Sequence, residues 1–155
     1  MLDEAFEGRF SDHDWDHALG GLHAIVWEGT ELVGHASVVQ RRLMHAGRAW
    51  RAGYVEAVGV RPEHGGRGHA TAMMDALEGV IRRAYDVGAL SASAGATSFY
   101  LHRSWQPWTG HTFVLTDHGI RPTPEDDGST YVFEPTAAFD LRGELVCDWR
   151  DGDVW

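Results

Sequence analysis

The stretch VGVRPEHGGRGHATAMMDAL, residues 58–77, constrains the fold of this chain more than any other. A strand-forming segment runs through a turn holding Gly65, Gly66 and Gly68 and passes directly into a segment of helical period. From Gly68 onward the apolar residues are Ala70, Met73, Met74, Leu77, Val80, Ile81 and Ala84, the spacing of a buried stripe on an amphipathic helix. That helix is expected to end at Gly88. Glycines let the backbone take positive φ and lie close to a ligand, and the helix N-terminus that follows offers unpaired N–H groups and a partial positive charge. The combination can cradle a pyrophosphate; an ordinary tight turn has the same local sequence.

What surrounds the turn narrows the fold. Ser11 is a good N-cap for a helix with Asp12 and Asp14 in its first turn, stopped by Gly20-Gly21. LHAIVWE (22–28), a Gly29-Thr30 turn, ELVGHASVVQRRLMH (31–45), an Ala46-Gly47 turn and a third strand ending in GYVEAVGV (53–60) describe an antiparallel meander. After the helix, ALSASA (89–94), HTFVLTD (111–117) and STYVFEP (129–135) read as strands. SFYLHRSW (98–105) reads as a short helix halted in the Pro107 region, and HGIRPTPEDDGS (118–129) as a functional loop. A dinucleotide-binding fold is set aside, because its glycine turn follows the first strand of a parallel βαβ unit. With no repeat, low-complexity tract or linker, residues 1–155 read as one α+β domain with a mixed, mostly antiparallel central sheet flanked by helices.

Composition limits the partners. Against 13 Lys and Arg stand 23 Asp and Glu, a formal charge of −10. Such a surface is unsuited to a nucleic-acid backbone, which needs clustered cations, and it attracts cationic molecules. A single cysteine, Cys147, forbids an intrachain disulfide and suits a reducing compartment. The N-terminus MLDEAFEGRF lacks the features of a signal peptide, and no apolar run is long enough to span a membrane. A cytoplasmic location is expected.

The V-x-P-E-x-x-G-x-G-x-A pattern after a meander resembles motif A of the GCN5-related N-acetyltransferases, which use acetyl-CoA. Gly68 and Ala70 match that motif, whereas Gly65 stands where Arg or Gln is usual. The resemblance implies that Val58, Gly59 and Val60 pair with the pantetheine arm as an added strand would. It also implies that Gly65, Gly66, Arg67, Gly68, His69 and Ala70 hold the pyrophosphate, His69 through its backbone. An N–H near Val58 would face the thioester oxygen.

Further blocks are similar to one subfamily, the aminoglycoside 2'-N-acetyltransferases: DWDHALGGLHAIVW (14–27), VVQRRLMHAG (38–47), GYVEAVGVRPE (53–63), GALSASA (88–94), PEDDG (124–128) and CDWRDGDVW (147–155). Relatives begin earlier, with a first strand that this chain lacks, and they are often dimeric, so a homodimer is compatible. A substrate carrying several ammonium groups calls for carboxylates, since opposite charges ~4 Å apart attract by about 4 kcal/mol at an effective dielectric of 20 before desolvation. The substrate set implied is Asp14, Glu56, Ala57, Ser91, Glu125, Asp126, Asp153 and Trp155. Taken singly each acid reads as a solvated surface charge. Arg9 stands where relatives commonly place an acidic contact. Acyl transfer to an ammonium needs a base, for which Glu56 is the first candidate and a Trp155 terminal carboxylate the second. Tyr100 sits where the superfamily often places a donor to the leaving thiolate; alone it reads equally as a packing aromatic beside Phe99.

Other signals carry less. His13 and His17 lie four apart on a helix, but no third ligand is suggested and no metal is expected. Cys147 has no activating neighbour and is expected to pack in a strand. Tryptophans such as Trp105, Trp108, Trp149 and Trp155 read first as core, with sugar stacking as the alternative. Two further functions stay open: acetylation of another polyamine or amino sugar, and non-catalytic binding of cationic drugs.

Overall fold

The computed structural model describes residues 1–133 and 139–155. The meander is present as expected: β1 (Leu22–Glu28), β2 (Glu31–His45) and β3 (Arg48–Val60) pair antiparallel. Both turns use positive φ, at Gly29 in the first and at Ala46 and Gly47 in the second. Helix α1 (Leu2–Ala5), which carries no apolar stripe long enough to read, lies over Gly59 and is an addition to the expected elements. Helix α2 (Asp12–Ala18) opens with a reciprocal capping box: the Ser11 hydroxyl accepts from the Asp14 N–H, while the Asp14 carboxylate accepts from the Ser11 N–H at 2.7 Å.

Helix α3 (His69–Ala84) buries Met73, Met74, Leu77 and Ile81, four of the stripe residues. Its end differs from expectation. Tyr85 closes the helix in an extended conformation, and strand β4 (Val87–Ser91) already includes Gly88. The cause is long-range: the Asp86 carboxylate and N–H bond the Arg51 backbone, and β4 pairs parallel with β3 from Ala52–Val87. Helix α4 (Thr97–His102) is likewise shorter than expected, because Ser104 turns the chain at φ 66°, and Gln106–Pro107 form the short strand β5. The expected loop at 118–129 contains strand β7 (Gly119–Pro122), hairpinned to β6 (Thr112–Thr116), and a 3-10 turn, Pro124–Asp126. Strand β8 (Thr130–Phe133) fits the expected 129–135 segment, whose Glu134 and Pro135 fall outside the described residues. Strand β9 (Leu145–Asp148) contains Cys147, buried as expected.

The sheet runs β5-β8-β4-β3-β2-β9-β6-β7, with β1 beside the first half of β2. Alternate residues of β2, β3, β4 and β8 feed two cores on its opposite faces. One is packed by α3 with Trp105 and Phe133; the other holds Leu43, Trp50, Trp108, Cys147 and Trp155. Trp105, Trp108 and Trp155 are thus core, and Trp149 is exposed. β1 has β2 as its partner among the described residues, and its Leu22, Ile25 and Trp27 are exposed. No described helix is long and apolar enough to cross a membrane.

Candidate active site

Two features of β3 build the site. It pairs with β4 only over Ala52–Tyr54, and past those residues the two strands part. Its register against β2 passes from Ser37–Glu56 to His35–Gly59, so Ala57 and Val58 together face one residue of β2. This is a β-bulge, with Ala57 at φ 51°, a left-handed conformation that is costly for a residue with a Cβ. The bulge turns Glu56, Ala57 and Val58 into the opening between the strands.

That opening is a cleft of about 530 Å³, within the range of small-molecule sites. Of the expected residues, Asp14, Glu56, Ala57, Val58, Ser91, Tyr100, Asp153 and Trp155 line it. Arg9, the expected mismatch, lines it too and pairs with Glu7 at 3.3 Å, an exposed pair of little energetic weight. Glu125 and Asp126 are not in the lining. Their 3-10 turn borders it: Ser91 Oγ bonds Ser129 Oγ at 3.1 Å, and Ser129 Oγ donates to the Asp126 carbonyl. Burial, and then the charges of Glu125 and Asp153, push the Asp126 carboxyl up to about 6. Burial also pushes the Tyr100 hydroxyl up to about 12, keeping it protonated at neutral pH. Tyr100 packs against Phe99 and Trp105, the packing role expected of it, and it also lines the cleft.

Sequence reasoning missed Arg150, which bonds the Glu56 carboxylate through Nη1, both side chains being 15% exposed. Arg150 Nε also donates to the Asp153 carbonyl at 2.8 Å. The signal was present in the CDWRDGDVW block but its partner is 94 residues away. The last residues are held in place from behind. Trp155 Nε1 donates to Thr123 Oγ1 at 3.0 Å, and buried Arg41 donates to the Val154 carbonyl. His17 belongs to this arrangement, its Nε2–H donating to the Asp151 carbonyl at 2.6 Å, and the Gly152 backbone packs on His13. Both histidines thus seat the C-terminal segment. Cys147 is inert: burial pushes its thiol up to about 11.

The glycine turn lies beyond Gly59 and Val60. Gly66 and Gly68 take φ 73° and 84°, so these two positions need glycine, whereas Gly65 does not. Gly68 caps α3, whose first N–H groups have no intrahelical partner. The side chains of this turn do more than expected. His69 Nε2 donates to Glu28 Oε1 at 2.7 Å and Arg67 Nη1 to Glu28 Oε2 at 2.8 Å, tying the turn to β1. The hydrogen bond from His69 holds the Glu28 carboxyl below its usual range. Donor atoms of Glu28, His64 and His69 lie within 4.8 Å of one another, and the Arg67 guanidinium sits among them.

The arrangement can hold an extended amide chain in the gap between β3 and β4, an anion on the glycine turn, and a cation among the carboxylates. The chain is similar to known proteins. A sequence model of the family described as "Acetyltransferase (GNAT) domain" matches residues 1–107. An aminoglycoside 2'-N-acetyltransferase of Mycolicibacterium fortuitum is 54% identical over the whole chain and 82% of its own length. Among solved structures, Eis1 from Mycobacterium abscessus aligns with TM-score 0.58 and 25% identity over 68% of this chain. The chain spans only 27% of that protein. A Bacillus subtilis N-acetyltransferase in complex with coenzyme A aligns with TM-score 0.51 over 74% of this chain and 68% of its own, at 10% identity, a likeness of fold alone.

Proposed function

The chain belongs to the GNAT acetyltransferase family, and on that premise we propose that it transfers the acetyl group of acetyl-CoA to the 2'-amine of an aminoglycoside. Transfer is direct, within a ternary complex. The observation that carries this reading is the cleft itself. The β3 bulge, where a thioester can lie, puts Glu56 in the cleft, and Asp14 of α2 and Asp153 of the C-terminal segment complete a lining that suits an ammonium. In the reaction Glu56 takes a proton from the ammonium, directly or through water. The freed nitrogen adds to the thioester carbon, and the Val58 N–H meets the oxyanion. On collapse the C–S bond breaks, the Tyr100 hydroxyl gives its proton to the leaving thiolate, and the surplus proton on the nitrogen returns to Tyr100 through water, leaving a neutral amide and the CoA thiol. CoA binds with its pantetheine arm on Val58, Gly59 and Val60 and its pyrophosphate at Gly65–Ala70, where the α3 N-terminus supplies free N–H groups.

The direct test is release of free CoA. Gentamicin or tobramycin, which carry a 2'-amine, should support it, and kanamycin A or amikacin, with a hydroxyl there, should not. Equal rates with both pairs would remove the regiospecific claim. A second reading, another amino sugar or polyamine as acceptor, draws on Arg9, which lines the cleft where an acidic contact to an aminoglycoside is usual. A polyamine that saturates at lower concentration than any aminoglycoside would establish it. Aminoglycoside binding by calorimetry with no acetylated product by mass spectrometry would make the protein a binder alone.

Two expected results follow from this site. Glu28→Gln removes the charge that His69 and Arg67 grip. It should raise KM for acetyl-CoA several-fold and leave kcat within about twofold, because the turn is loosened and the reacting atoms are untouched. Steady-state kinetics in acetyl-CoA check it. Asp126, held near 6, gains a proton as pH falls through that value and stops attracting cations. Affinity for a cationic amino sugar should therefore weaken between pH 7.5 and 5, and Asp126→Asn should flatten that step in calorimetry. The same raised value penalises the ionised form in the fold. That penalty is absent below the unfolded value near 3.9 and complete above 6, so Asp126→Asn should also raise Tm at pH 7.5 by about 2–4 °C after discounting for solvent screening.

A further inference from the structure

The β3 bulge is gripped by a pair of histidines that the reaction above does not use. His35 on β2 is 4% exposed, and its Nδ1 lies 3.0 Å from the Ala57 carbonyl. Its Nε2 lies 2.8 Å from His23 Nδ1 on β1, and Trp15 of α2 packs nearby, ring centres 6.0 Å apart. A carbonyl only accepts, so His35 Nδ1 carries the proton. The neutral ring then has a lone pair on Nε2, which accepts from His23 Nδ1–H. Burial lowers the His35 pKa and favours this neutral form. One tautomer at each ring is thereby fixed by the geometry.

We propose that His35 is a positioning residue: its hydrogen bond to the Ala57 carbonyl sets the 57–58 peptide so that the Val58 N–H faces the thioester oxygen. The inference rests on the acetyl-transfer reading above. A trans peptide points its C=O and N–H in opposite directions. With the Ala57 carbonyl turned toward β2 by His35, the Val58 N–H points away from β2, into the opening between β3 and β4 where Val58 lines the cleft. The register skips Ala57 and Val58, so neither has a partner residue on β2 to set its peptide. The left-handed Ala57 would relax toward a regular strand if released. His23 has a supporting part: once His35 Nδ1–H is committed to the carbonyl, His23 donates to Nε2 and holds the ring in place.

Two polar substitutions separate this from simple packing. In His35→Asn the side-chain amide N–H stands near the place of Nδ1 and can still reach the Ala57 carbonyl. In His35→Gln the amide stands near Nε2 and reaches His23 instead. His35→Asn should keep kcat within about threefold of the parent, whereas His35→Gln should lose about 10- to 100-fold, with KM for acetyl-CoA and amine within threefold for both. An unchanged kcat in His35→Gln, or equal losses in the two variants, would overturn the proposal. Nitrogen-15 NMR of the parent supplies a readout independent of turnover and of either variant folding. His35 should show a protonated Nδ1 and a bare Nε2 at neutral pH, and the opposite tautomer would sink the device. Absence of CoA release by the parent with any amine would count against the acetyl-transfer reading, a failure distinct from a wrong tautomer.

Discussion

Glutamine in place of Glu56 is expected to lower kcat about 10²- to 10⁴-fold, the range that a positioned general base contributes. The substitution keeps the shape of the side chain and its capacity to accept from Arg150, so the fold and the cleft should persist. Only the capacity to take a proton is lost. The Arg150 pairing makes the prediction sharper. In the resting protein a guanidinium satisfies the carboxylate, and an arriving ammonium must share or replace it. Removing that guanidinium frees the Glu56 oxygen it occupies but takes away the partner that orients the carboxylate. Arg150→Ala should therefore lower kcat far less than Glu56→Gln does, because the proton acceptor remains. Thiol release at saturating acetyl-CoA reads both. If Glu56→Gln retains the parent kcat, the base lies elsewhere.

How much of this was legible beforehand depended on distance along the chain. β1 and β2 were readable to the residue because their apolar runs are bounded by turn chemistry at Gly29-Thr30 and Ala46-Gly47, all local. The glycine turn was readable for the same reason, and Gly66 and Gly68 do take the conformations that only glycine adopts freely. Helix α3 ends before the expected Gly88 because Val87, a strand former, and Gly88 are too short a run to signal a strand locally; pairing with Ala52 and Gly53 recruits them. β7 was hidden in a polar, exposed GIRP whose hairpin partner lies in β6. At the site, the carboxylates could be named from composition and resemblance, but their partners could not. The Glu56–Arg150 pair, the His35 bond to Ala57 and the His69 bond to Glu28 each join residues more than twenty positions apart. No spacing rule reaches across such gaps.

The second large effect is expected at Arg41, whose replacement by Met should cost about 2–4 kcal/mol of stability and lower Tm by about 5–12 °C. The side chain is 4% exposed, and each of its three nitrogens donates a hydrogen bond. Nε donates to the Asp148 carboxylate at 2.8 Å, Nη2 to the Asp148 carbonyl at 2.6 Å and Nη1 to the Val154 carbonyl at 2.7 Å, with the plane over the Tyr54 ring. Methionine fills much of the volume, so the loss arises mainly from two carbonyls deprived of their donor rather than from a cavity. The Asp148 side chain is half exposed and recovers water, which keeps the cost below that of stranding a buried charge. Lysine retains the charge but not the fork, so Arg41→Lys should fall between parent and Met. The consequence reaches the cleft through Val154. With its carbonyl released, neighbouring Asp153 and Trp155 lose one of the anchors that set them in the lining. At a temperature where Arg41→Met is still folded, KM for the amine should rise several-fold while KM for acetyl-CoA, bound by β3 and the glycine turn, stays near the parent value. Chemical denaturation and two-substrate kinetics on the same preparation test both halves. A Tm within about 2 °C of the parent would mean that the buried guanidinium orders the chain without stabilising it, the outcome seen when desolvation cancels what the hydrogen bonds contribute.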